Sequence, residues 1–449
     1  MSDRSPSLAE LTVPRYTSYP TAPHFTAAVT GRHHAAWLSA LPGAATLSLY
    51  IHVPYCAHLC HYCGCHTKVV RRREPIDAYA DTVTEEIVMV GARVGSHNAT
   101  HLHWGGGTPS LLGIDRITGL VEKVGDVFGL TADCDHAIEL DPRYVTPGLA
   151  HSLARIGVNR ASLGVQDFTP HVQQAIGRIQ PFAVVERAVS ALREAGIGKI
   201  NFDLMYGLPQ QSVDDVRRSA ELAATLAPDR VACFGYAHVP WFKTHQRLID
   251  SSTLPAAHER LKQAAAVHDA LLACGYEPIG LDHFARPDDN LAAAARAGHL
   301  RRNFQGYTTD DADALIGFGA SAIGKFRQGF VQNASDIGGY QRAIGSGQLA
   351  TVRGVALSAD DIARGRIIER LMCDLEVDLD SIAIEGTIEA GRAFGEECDA
   401  LAPFESEGLV QRDGRRIAVT EKGRPFVRLI AAAFDAYLPK EGTHHSAAV

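Results

Sequence analysis

Residues 49–65 of the chain read LYIHVPYCAHLCHYCGC. An apolar run typical of a buried strand leads directly into cysteines with the spacing C-x3-C-x2-C-x-C. The four thiols are Cys56, Cys60, Cys63 and Cys65. The loop that carries them follows the first predicted strand, which is where a metal centre at the carboxyl end of a sheet would lie.

A regular alternation of strands and helices continues from this stretch. Five more short apolar runs follow the run at residues 46–53, and they span residues 100–104, 136–140, 160–165, 199–205 and 230–236. Helical patterns such as residues 76–91, 181–195 and 213–226 lie between them, which predicts parallel β/α units. Polar or glycine residues follow nearly every run. They converge on one face in a partial or complete parallel β/α barrel, which we therefore expect instead of a doubly wound sheet.

Three parts of the chain differ in character. Residues 1–45 predict an N-terminal arm, because prolines disfavour a helix at residues 14–25 while Tyr16, Tyr19 and Phe25 predict packing. Residues 46–350 hold the barrel, with a seventh apolar run near residues 278–281 and a glycine-rich stretch at 316–324. Residues 351–449 predict a small, mostly helical, winged-helix-like domain with a hairpin at 408–420 and a helix at 424–437. No basic stripe accompanies it, so we expect a cap and not a nucleic-acid-binding unit.

Composition excludes several classes of protein. A net charge of -8 gives no sign of a nucleic-acid partner, and no apolar run of about 18 residues predicts a membrane span. The polar start of the chain predicts a cytoplasmic protein with reduced thiols. The cysteines outside the cluster are expected to be ordinary core residues, namely Cys134, Cys233, Cys274, Cys373 and Cys398.

The clustered cysteines admit three interpretations. Three thiolates can hold a [4Fe–4S] cluster and leave one iron open for a ligand. A zinc site helped by His58, His61 and His66 is the second interpretation, although zinc usually takes two separated ligand pairs and no second pair follows nearby. The third is an accidental crowding of structural thiols, which would leave reactive groups exposed.

Polar residues after the next strands predict a ligand site at the same face. The sequence GGGTP at residues 105–109 allows a ligand close approach to the backbone, and we expect free N–H groups there. A turn is the alternative. An acid, an amide, a cation and a second acid follow later strands as candidate ligand contacts. The alternative for the first acid is an N-cap of the helix after residues 141–142, and the alternative for the other three is a salt bridge at the barrel rim. In chain order, the four residues are Glu139, Gln166, Arg178 and Asp203.

The cysteine spacing after a first barrel strand resembles the radical S-adenosylmethionine (SAM) superfamily. The CGC ending, PRYTSYPTA at residues 14–22 and NFQGYTT at residues 303–309 resemble the oxygen-independent coproporphyrinogen III oxidases, also called coproporphyrinogen dehydrogenases. The resemblance runs from about residue 12 to about residue 430. A related haem chaperone or another radical SAM protein remains the alternative.

The resemblance implies a set of site residues. Cys56, Cys60 and Cys63 match the ligands of a [4Fe–4S] cluster, whereas Cys65 is a possible auxiliary thiol and no catalytic side chain is assigned. Family members bind two SAM molecules. The matching positions in this chain are Tyr50, Tyr62, Gly106, Gly107, Thr108, Glu139, Gln166, Arg178, Asp203, Ala237 and Ile323. One departure is Gly177, where the family pattern has asparagine before the arginine.

The resemblance also implies a reaction and partners. Coproporphyrinogen III would lose CO₂ from two propionates through a radical derived from SAM, giving protoporphyrinogen IX in haem biosynthesis. A one-electron donor such as flavodoxin or ferredoxin would supply electrons, and we expect a monomer. Because the substrate carries four carboxylates, cationic groups should line the cavity, and the candidates are Arg15, His52, His238 and His283.

Overall fold

The computed structural model describes residues 8–95, 97–382 and 394–438. Parts of the predicted arm (residues 1–7) and of the predicted C-terminal domain (residues 383–393 and 439–449) lie outside the described residues. In the described part of the chain, no helix has both the length and the apolar character needed to cross a bilayer.

Strands and helices alternate through most of the chain. The strands are β1 (Thr46–Val53), β2 (Tyr55–Cys56), β3 (Lys68–Val69), β4 (Asn98–Gly106), β5 (Leu130–Leu140), β6 (Arg160–Gln166), β7 (Lys199–Tyr206), β8 (Arg230–Gly235), β9 (Glu277–Ile279), β10 (His283–Ala285), β11 (Arg301–Asn303), β12 (Gly306–Thr308), β13 (Ala314–Phe318), β14 (Ile323–Phe326), β15 (Gly329–Asn333), β16 (Thr351–Ala356), β17 (Glu376–Asp378), β18 (Val410–Asp413) and β19 (Arg416–Val419). The α-helices are α1 (Gly31–Ser39), α2 (Glu74–Val94), α3 (Ile114–Phe128), α4 (Pro147–Arg155), α5 (Pro170–Ala175), α6 (Phe182–Glu194), α7 (Val213–Thr225), α8 (Ala257–Ala273), α9 (Asn290–Arg296), α10 (Ile337–Gly345), α11 (Ala359–Asp374), α12 (Gly395–Asp399), α13 (Ala402–Ser406) and α14 (Val427–Ala432).

The central sheet has twelve strands in the order β16-β15-β14-β13-β1-β4-β5-β6-β7-β8-β10-β9. The seven strands from β13 to β8 in this order pair in parallel, and antiparallel strands extend the sheet on both sides. In the described part of the chain, edge strands β16 and β9 do not pair with each other. The predicted β/α barrel is therefore confirmed in its partial form.

Side chains along each strand point alternately to the helix-covered core and to the interior of the barrel. In β1, the side chains of Leu47, Leu49 and Ile51 are fully buried in the main hydrophobic cluster, whereas Ser48 lines the inner cavity. In β4, Leu102 and Trp104 are equally buried, and the alternate residues line the cavity. Successive side chains of a strand point to opposite faces, so polar residues at alternate positions collect inside the barrel.

The seventh apolar run of the sequence lies at the edge of the sheet. The apolar run near residues 278–281 forms β9, which pairs antiparallel with β10 at the sheet edge and does not continue the parallel series. The seventh parallel strand is β13, part of which falls in the stretch expected to be merely glycine-rich. It pairs with β1, where Leu47 stands opposite Ala314.

The N-terminal arm is partly helical. Residues 14–25 contain no α-helix, as expected, but they include bends at residues 17–20 and a 3-10 turn (Ala22–His24). Helix α1 begins at Gly31 after a capping box formed by Thr30 and His33. Trp37 and Leu38 of α1 belong to the main hydrophobic cluster. The expectation that residues 14–25 avoid an α-helix therefore holds, although a 3-10 turn interrupts the extended path.

The arm packs on the C-terminal part of the chain. Tyr16 and Tyr19 share a hydrophobic cluster with residues of α11 and α14, and Tyr16 Oη donates a hydrogen bond to Asp435 at 3.0 Å. The predicted hairpin is present as β18 and β19, which join β17 in a small antiparallel sheet. The predicted last helix is shorter than expected, because a 3-10 turn (Arg424–Phe426) precedes α14.

Candidate active site

The four clustered cysteines lie on a loop that folds back on itself after β1. Strands β2 and β3 pair in parallel within this loop, and the Val70 N–H donates to the Cys56 carbonyl at 3.2 Å. Cys60 is buried, Cys56 and Cys63 are half-buried, and Cys65 is exposed. All four cysteines line one cavity of about 750 Å³ inside the partial barrel.

The three thiols of the predicted cluster each have a hydrogen-bond donor beside them. Thr67 Oγ1 donates to Cys56 Sγ at 3.1 Å and partly offsets the burial that raises the pKa of this thiol. Arg178 Nη1 donates to Cys60 Sγ at 3.4 Å. A hydrogen bond from the Cys65 thiol lowers the pKa of Cys63 to about 7. Donors aimed at sulfur stabilise thiolates, which is the form that binds iron. The donor set therefore fits a metal cluster held by these residues.

The spacing of possible ligands bears on the zinc interpretation. Within residues 8–95, 97–382 and 394–438, no three His, Cys, Asp or Glu side chains converge closely enough to hold one ion. A zinc tetrahedron needs its ligands within about 2.3 Å of a common centre. A cubane cluster is larger than one ion, and its ligands stand further apart.

A second loop holds the cysteine loop from the other side of the cavity mouth. After β8, His245 Nε2 donates to the Cys63 carbonyl at 2.7 Å and Lys243 Nζ donates to the Cys65 carbonyl at 2.9 Å. Gln246 Nε2 donates to the Tyr62 carbonyl at 2.9 Å. No local sequence pattern predicts these contacts, because they join residues about 180 positions apart.

The glycine-rich turn after β4 docks onto the strand that leads into the cysteine loop. The Gly107 N–H donates to the Val53 carbonyl at 2.8 Å, and the Thr108 N–H donates to the Tyr55 carbonyl at 2.7 Å. The Gly106 N–H donates to Glu139 Oε2 at 3.0 Å. Free N–H groups were expected here, and that expectation was wrong for these three residues. The turn fixes the position of the cysteine loop.

Glu139 ends β5 beside this turn. Besides accepting from Gly106, its carboxylate lies 3.5 Å from His103 Nε2. The His103 ring stacks on Tyr50, whose hydroxyl donates to His52 Nδ1 at 3.0 Å. This chain of contacts orients the Glu139 carboxylate toward the cavity that it lines.

Gln166 reaches the cavity through a bulge in β6. The register between β6 and β7 shifts between Gly164 and Gln166, and Gln166 has a positive φ of 69°. A bulge re-aims a side chain at the end of a strand, and a positive φ in a residue other than glycine is strained. The strain is local to the position where the sequence predicts a ligand contact.

Arg178 is buried between the cysteine loop and the barrel. Its Nη1 donates to Cys60 Sγ and to Asp141 Oδ2 at 3.2 Å, and its Nη2 donates to the Gly164 carbonyl at 2.7 Å. Gly177, the departure from the family pattern, has a φ of 65°. Asparagine is among the residues that best tolerate this region, so glycine keeps the same backbone path.

Most of the predicted site residues meet in the cavity. Tyr62, Gly106, Gly107, Thr108, Glu139, Gln166, Arg178, Asp203 and Ala237 line it together with the cysteines. Tyr50 stands behind His103 and packs edge-on against Phe304, and Ile323 begins β14 opposite Gln332. Neither Tyr50 nor Ile323 contributes to the cavity wall.

Of the four residues predicted to bring positive charge to the cavity, two line it and two do not. Arg15 and His283 line the cavity, whereas His52 and His238 do not. His52 Nε2 donates to the His66 carbonyl at 3.0 Å, and His238 Nδ1 lies 2.9 Å from the Tyr236 hydroxyl. Histidines of this kind are hydrogen-bonded structural residues.

Several residues that line the cavity were not predicted from the sequence. Residues 304–310 line the cavity, although the motif within them served only to identify a resemblance. Arg302, Arg428 and Asp282 also line it. The position of Arg302 directly before that motif was the available signal, whereas nothing in the sequence connected Arg428 to the barrel.

Asp203 gives a pH-dependent prediction. Burial, with the nearby charge of Glu139, raises the pKa of Asp203 to about 6, although Ser162 and Asn201 donate hydrogen bonds to it. Because the pKa of Asp203 is higher in the folded state than in the unfolded state, its protonated form stabilises the fold. This stabilisation is complete below the unfolded pKa of about 4 and is lost as the pH rises through 6. Asp203→Asn should therefore raise the melting temperature at about pH 7.5 and leave it nearly unchanged at about pH 4.

Thermal unfolding at both pH values tests this prediction. Asp133 is exposed, and Asp133→Asn is the matched control. The change in melting temperature that this control causes should be the same at both pH values. An equal effect of Asp203→Asn at both pH values would contradict the raised pKa.

Comparisons with known proteins cover the whole chain. A model of the radical SAM superfamily matches residues 50–223, and a model of the HemN C-terminal domain matches residues 357–426. An oxygen-independent coproporphyrinogen III oxidase of Bradyrhizobium diazoefficiens is 48% identical over 453 residues, which cover 100% of both chains. One of Paracoccus denitrificans is 43% identical over 98% of both chains.

A solved structure agrees with these matches. Coproporphyrinogen III oxidase (HemN) from Escherichia coli, described as a radical SAM enzyme, superimposes with a TM-score of 0.90 at 37% identity. The superposition covers 95% of this chain and 100% of that one. Sequence and structure therefore agree over nearly the full length, and the chain belongs to the oxygen-independent coproporphyrinogen III oxidase family within the radical SAM superfamily.

Proposed function

We propose that this chain catalyses the oxygen-independent oxidative decarboxylation of coproporphyrinogen III to protoporphyrinogen IX, a step of haem biosynthesis. Relatives that match the chain along its whole length carry the name of this activity. The observation that carries the proposal is the cysteine loop at a cavity of about 750 Å³, a volume suited to a large ligand.

Cys56, Cys60 and Cys63 are the proposed ligands of a [4Fe–4S] cluster. Their hydrogen-bond donors support this role, and Cys65 supports Cys63. When bound, the cluster and SAM supply a radical strong enough to take hydrogen from a propionate side chain. Residues of the chain then have to bind, orient and shield the reactants.

The SAM site is proposed to lie along the carboxyl ends of β4 to β7. Glu139 and Asp203 offer acceptors for amine and hydroxyl groups, and Gln166 offers an amide. Arg178 is engaged with Cys60, Asp141 and Gly164, so it positions the cysteine loop. The proposed second SAM lies toward Tyr62 and Ala237, with Tyr50 and Ile323 behind the wall. Equilibrium dialysis with labelled SAM would count the molecules bound.

Partners and location follow the same proposal. A flavodoxin or ferredoxin in the cytoplasm would deliver single electrons to a monomeric enzyme. Near the cysteine loop, Phe242 is 74% exposed and the Lys243 ammonium lies 5.2 Å from its ring centre, which suits an acidic electron carrier. Size-exclusion chromatography tests the monomer, and reduction by each purified carrier tests the donor.

The decisive experiment is an anaerobic assay after reconstitution with iron and sulfide. The proposal expects release of two CO₂ molecules per coproporphyrinogen III and formation of protoporphyrinogen IX with consumption of SAM. A reconstituted cluster that cleaves SAM without converting this substrate would show another radical SAM activity. High-affinity haem binding without turnover would indicate a chaperone.

Deletion of residues 1–25 should allow SAM to be cleaved without conversion of the porphyrinogen. Arg15 and Thr17 line the cavity, so their loss opens it to water and to unproductive quenching of the radical. We expect the ratio of 5′-deoxyadenosine formed to porphyrinogen converted to rise several-fold. Chromatographic measurement of both products gives the ratio, and an unchanged ratio would mean that the arm only packs.

A further inference from the structure

We propose that Arg15, Arg302 and Arg428 form a carboxylate-binding site for the propionates of the substrate that are not reacting. This cluster of three residues is called the arginine site below. The proposal rests on the proposed function and assigns residues to the recognition of its substrate class, a tetracarboxylate tetrapyrrole.

The arginine site is assembled from three distant segments. Arg15 belongs to the N-terminal arm, Arg302 to β11 and Arg428 to α14, and all three line the cavity. Arg15 Nη2 donates to the Gly235 carbonyl at 2.8 Å, and Arg302 Nη2 lies 3.5 Å from the Arg15 carbonyl. The three segments therefore bring positive charge to one region of the wall.

The three guanidinium groups are near enough to influence one another. Burial lowers the pKa of Arg428 to about 10, and the charges that act on it are those of Arg15, Arg302 and Asp282. Asp282 is the one carboxylate among them, and it already accepts a hydrogen bond from His283 Nδ1 at 2.8 Å. The charges of Arg15 and Arg302 both act on Arg428, so the three guanidinium groups lie close enough to bind one ligand together.

Arg302 has buried donors that are available to a ligand. Its residue is 9% exposed, and within the described part of the chain its Nε and Nη1 have no hydrogen-bond partner. Nη1 stands 4.0 Å from Asp282 Oδ1, beyond hydrogen-bonding distance, and the guanidinium lies 4.3 Å from the centre of the Tyr307 ring. Leaving buried donors unpaired costs stability, so a carboxylate that reached them would gain a charge-assisted hydrogen bond.

The position of the site in the cavity fits the geometry of the reaction. The arginine site and the cysteine loop line the same cavity. A substrate with four carboxylates can be held by some of them at the arginine site while another side chain points toward the radical source. Guanidinium groups suit this role because they bind carboxylates in a bidentate manner.

The test compares Arg302→Gln and Arg15→Ala with the exposed Arg218→Gln of α7 as matched control. Binding of coproporphyrin III is measured by its fluorescence in the reconstituted enzyme, and the tetramethyl ester of the same porphyrin serves as a probe without carboxylates. Loss of one charge-assisted contact should weaken coproporphyrin III binding about 10- to 100-fold, with ester binding and the control unchanged. Arg302→Lys should restore part of the affinity.

Steady-state kinetics separate the possible outcomes. The arginine site predicts that KM for coproporphyrinogen III rises while KM for SAM stays constant. A rise in KM for SAM alone would show that the arginines bind the carboxylate of SAM, and unchanged affinity for both would overturn the site. If wild-type enzyme forms no protoporphyrinogen IX, the proposed function fails independently of these variants. Arg15 is largely exposed to the cavity, so Arg15→Ala decides the matter even if Arg302→Gln does not fold.

Discussion

Serine in place of Cys56, Cys60 or Cys63 is expected to prevent assembly of a stable cluster and to abolish turnover. Each of these thiols lines the cavity mouth and has a hydrogen-bond donor beside it. Serine binds iron weakly at neutral pH, and the chemistry belongs to the cofactor, so turnover should fall at least about a thousandfold. Iron content, the visible absorption of the brown protein and SAM cleavage measure the effect under anaerobic conditions.

Two other cysteines supply the controls. Cys274 is exposed beyond α8, and Cys274→Ser should retain full iron content and turnover. Cys65→Ser keeps a hydroxyl donor near Cys63, so it should retain the cluster and show an altered reduction potential. Full turnover in any one of the three serine variants of the proposed ligands would remove the basis of the proposed function.

Alanine at Gly107 is expected to abolish SAM cleavage by displacing the cysteine loop. A Cβ atom at this position would clash with the Tyr55 carbonyl oxygen and lie 2.7 Å from Thr67 Oγ1. The Tyr55 carbonyl belongs to the backbone and cannot rotate away as a flexible side chain can. The turn therefore has to move, and the hydrogen bond from the Gly107 N–H to the Val53 carbonyl is lost. Overpacking of this kind lowers the free energy of unfolding by about 1–3 kcal/mol. We expect it also to shift the thiols that neighbour Tyr55.

Gly119→Ala is the matched control, because no atom lies within 4 Å of its added Cβ in α3. Alanine there should raise the melting temperature slightly, since glycine is a poor helix former. For Gly107→Ala we expect a lower melting temperature and SAM cleavage reduced at least about 100-fold, as for a misplaced reacting group. Wild-type SAM cleavage in Gly107→Ala would show that the contact with Tyr55 does not control the loop.

The local pattern of the sequence was sufficient for the central strands. Residues such as Leu47, Leu49 and Ile51 are apolar at alternate positions, and this period survives in the fold because each faces the covering helices. The position of the cysteine loop after β1 followed from the same reading. Both features depend on neighbours in the sequence.

The features that were not predictable depend on contacts between distant segments. Strand β13 pairs with β1 across more than 260 positions, and its short apolar run resembles a loop when viewed alone. The N–H groups of Gly107 and Thr108 were expected to be free, but they donate to carbonyls of strands β1 and β2, about 50 positions earlier in the chain. Arg428 enters the cavity because α14 packs near the arm, which no local pattern indicates.

The packing of the arm on the C-terminal part of the chain sets an order of events during synthesis. Tyr16 and Tyr19 leave the ribosome first, whereas the residues of α11 and α14 that form their shared hydrophobic cluster leave near the end. The arm therefore has no completed docking surface while the barrel is being made. Tyr16 and Tyr19 can therefore bury their rings against α11 and α14 only when translation is almost complete.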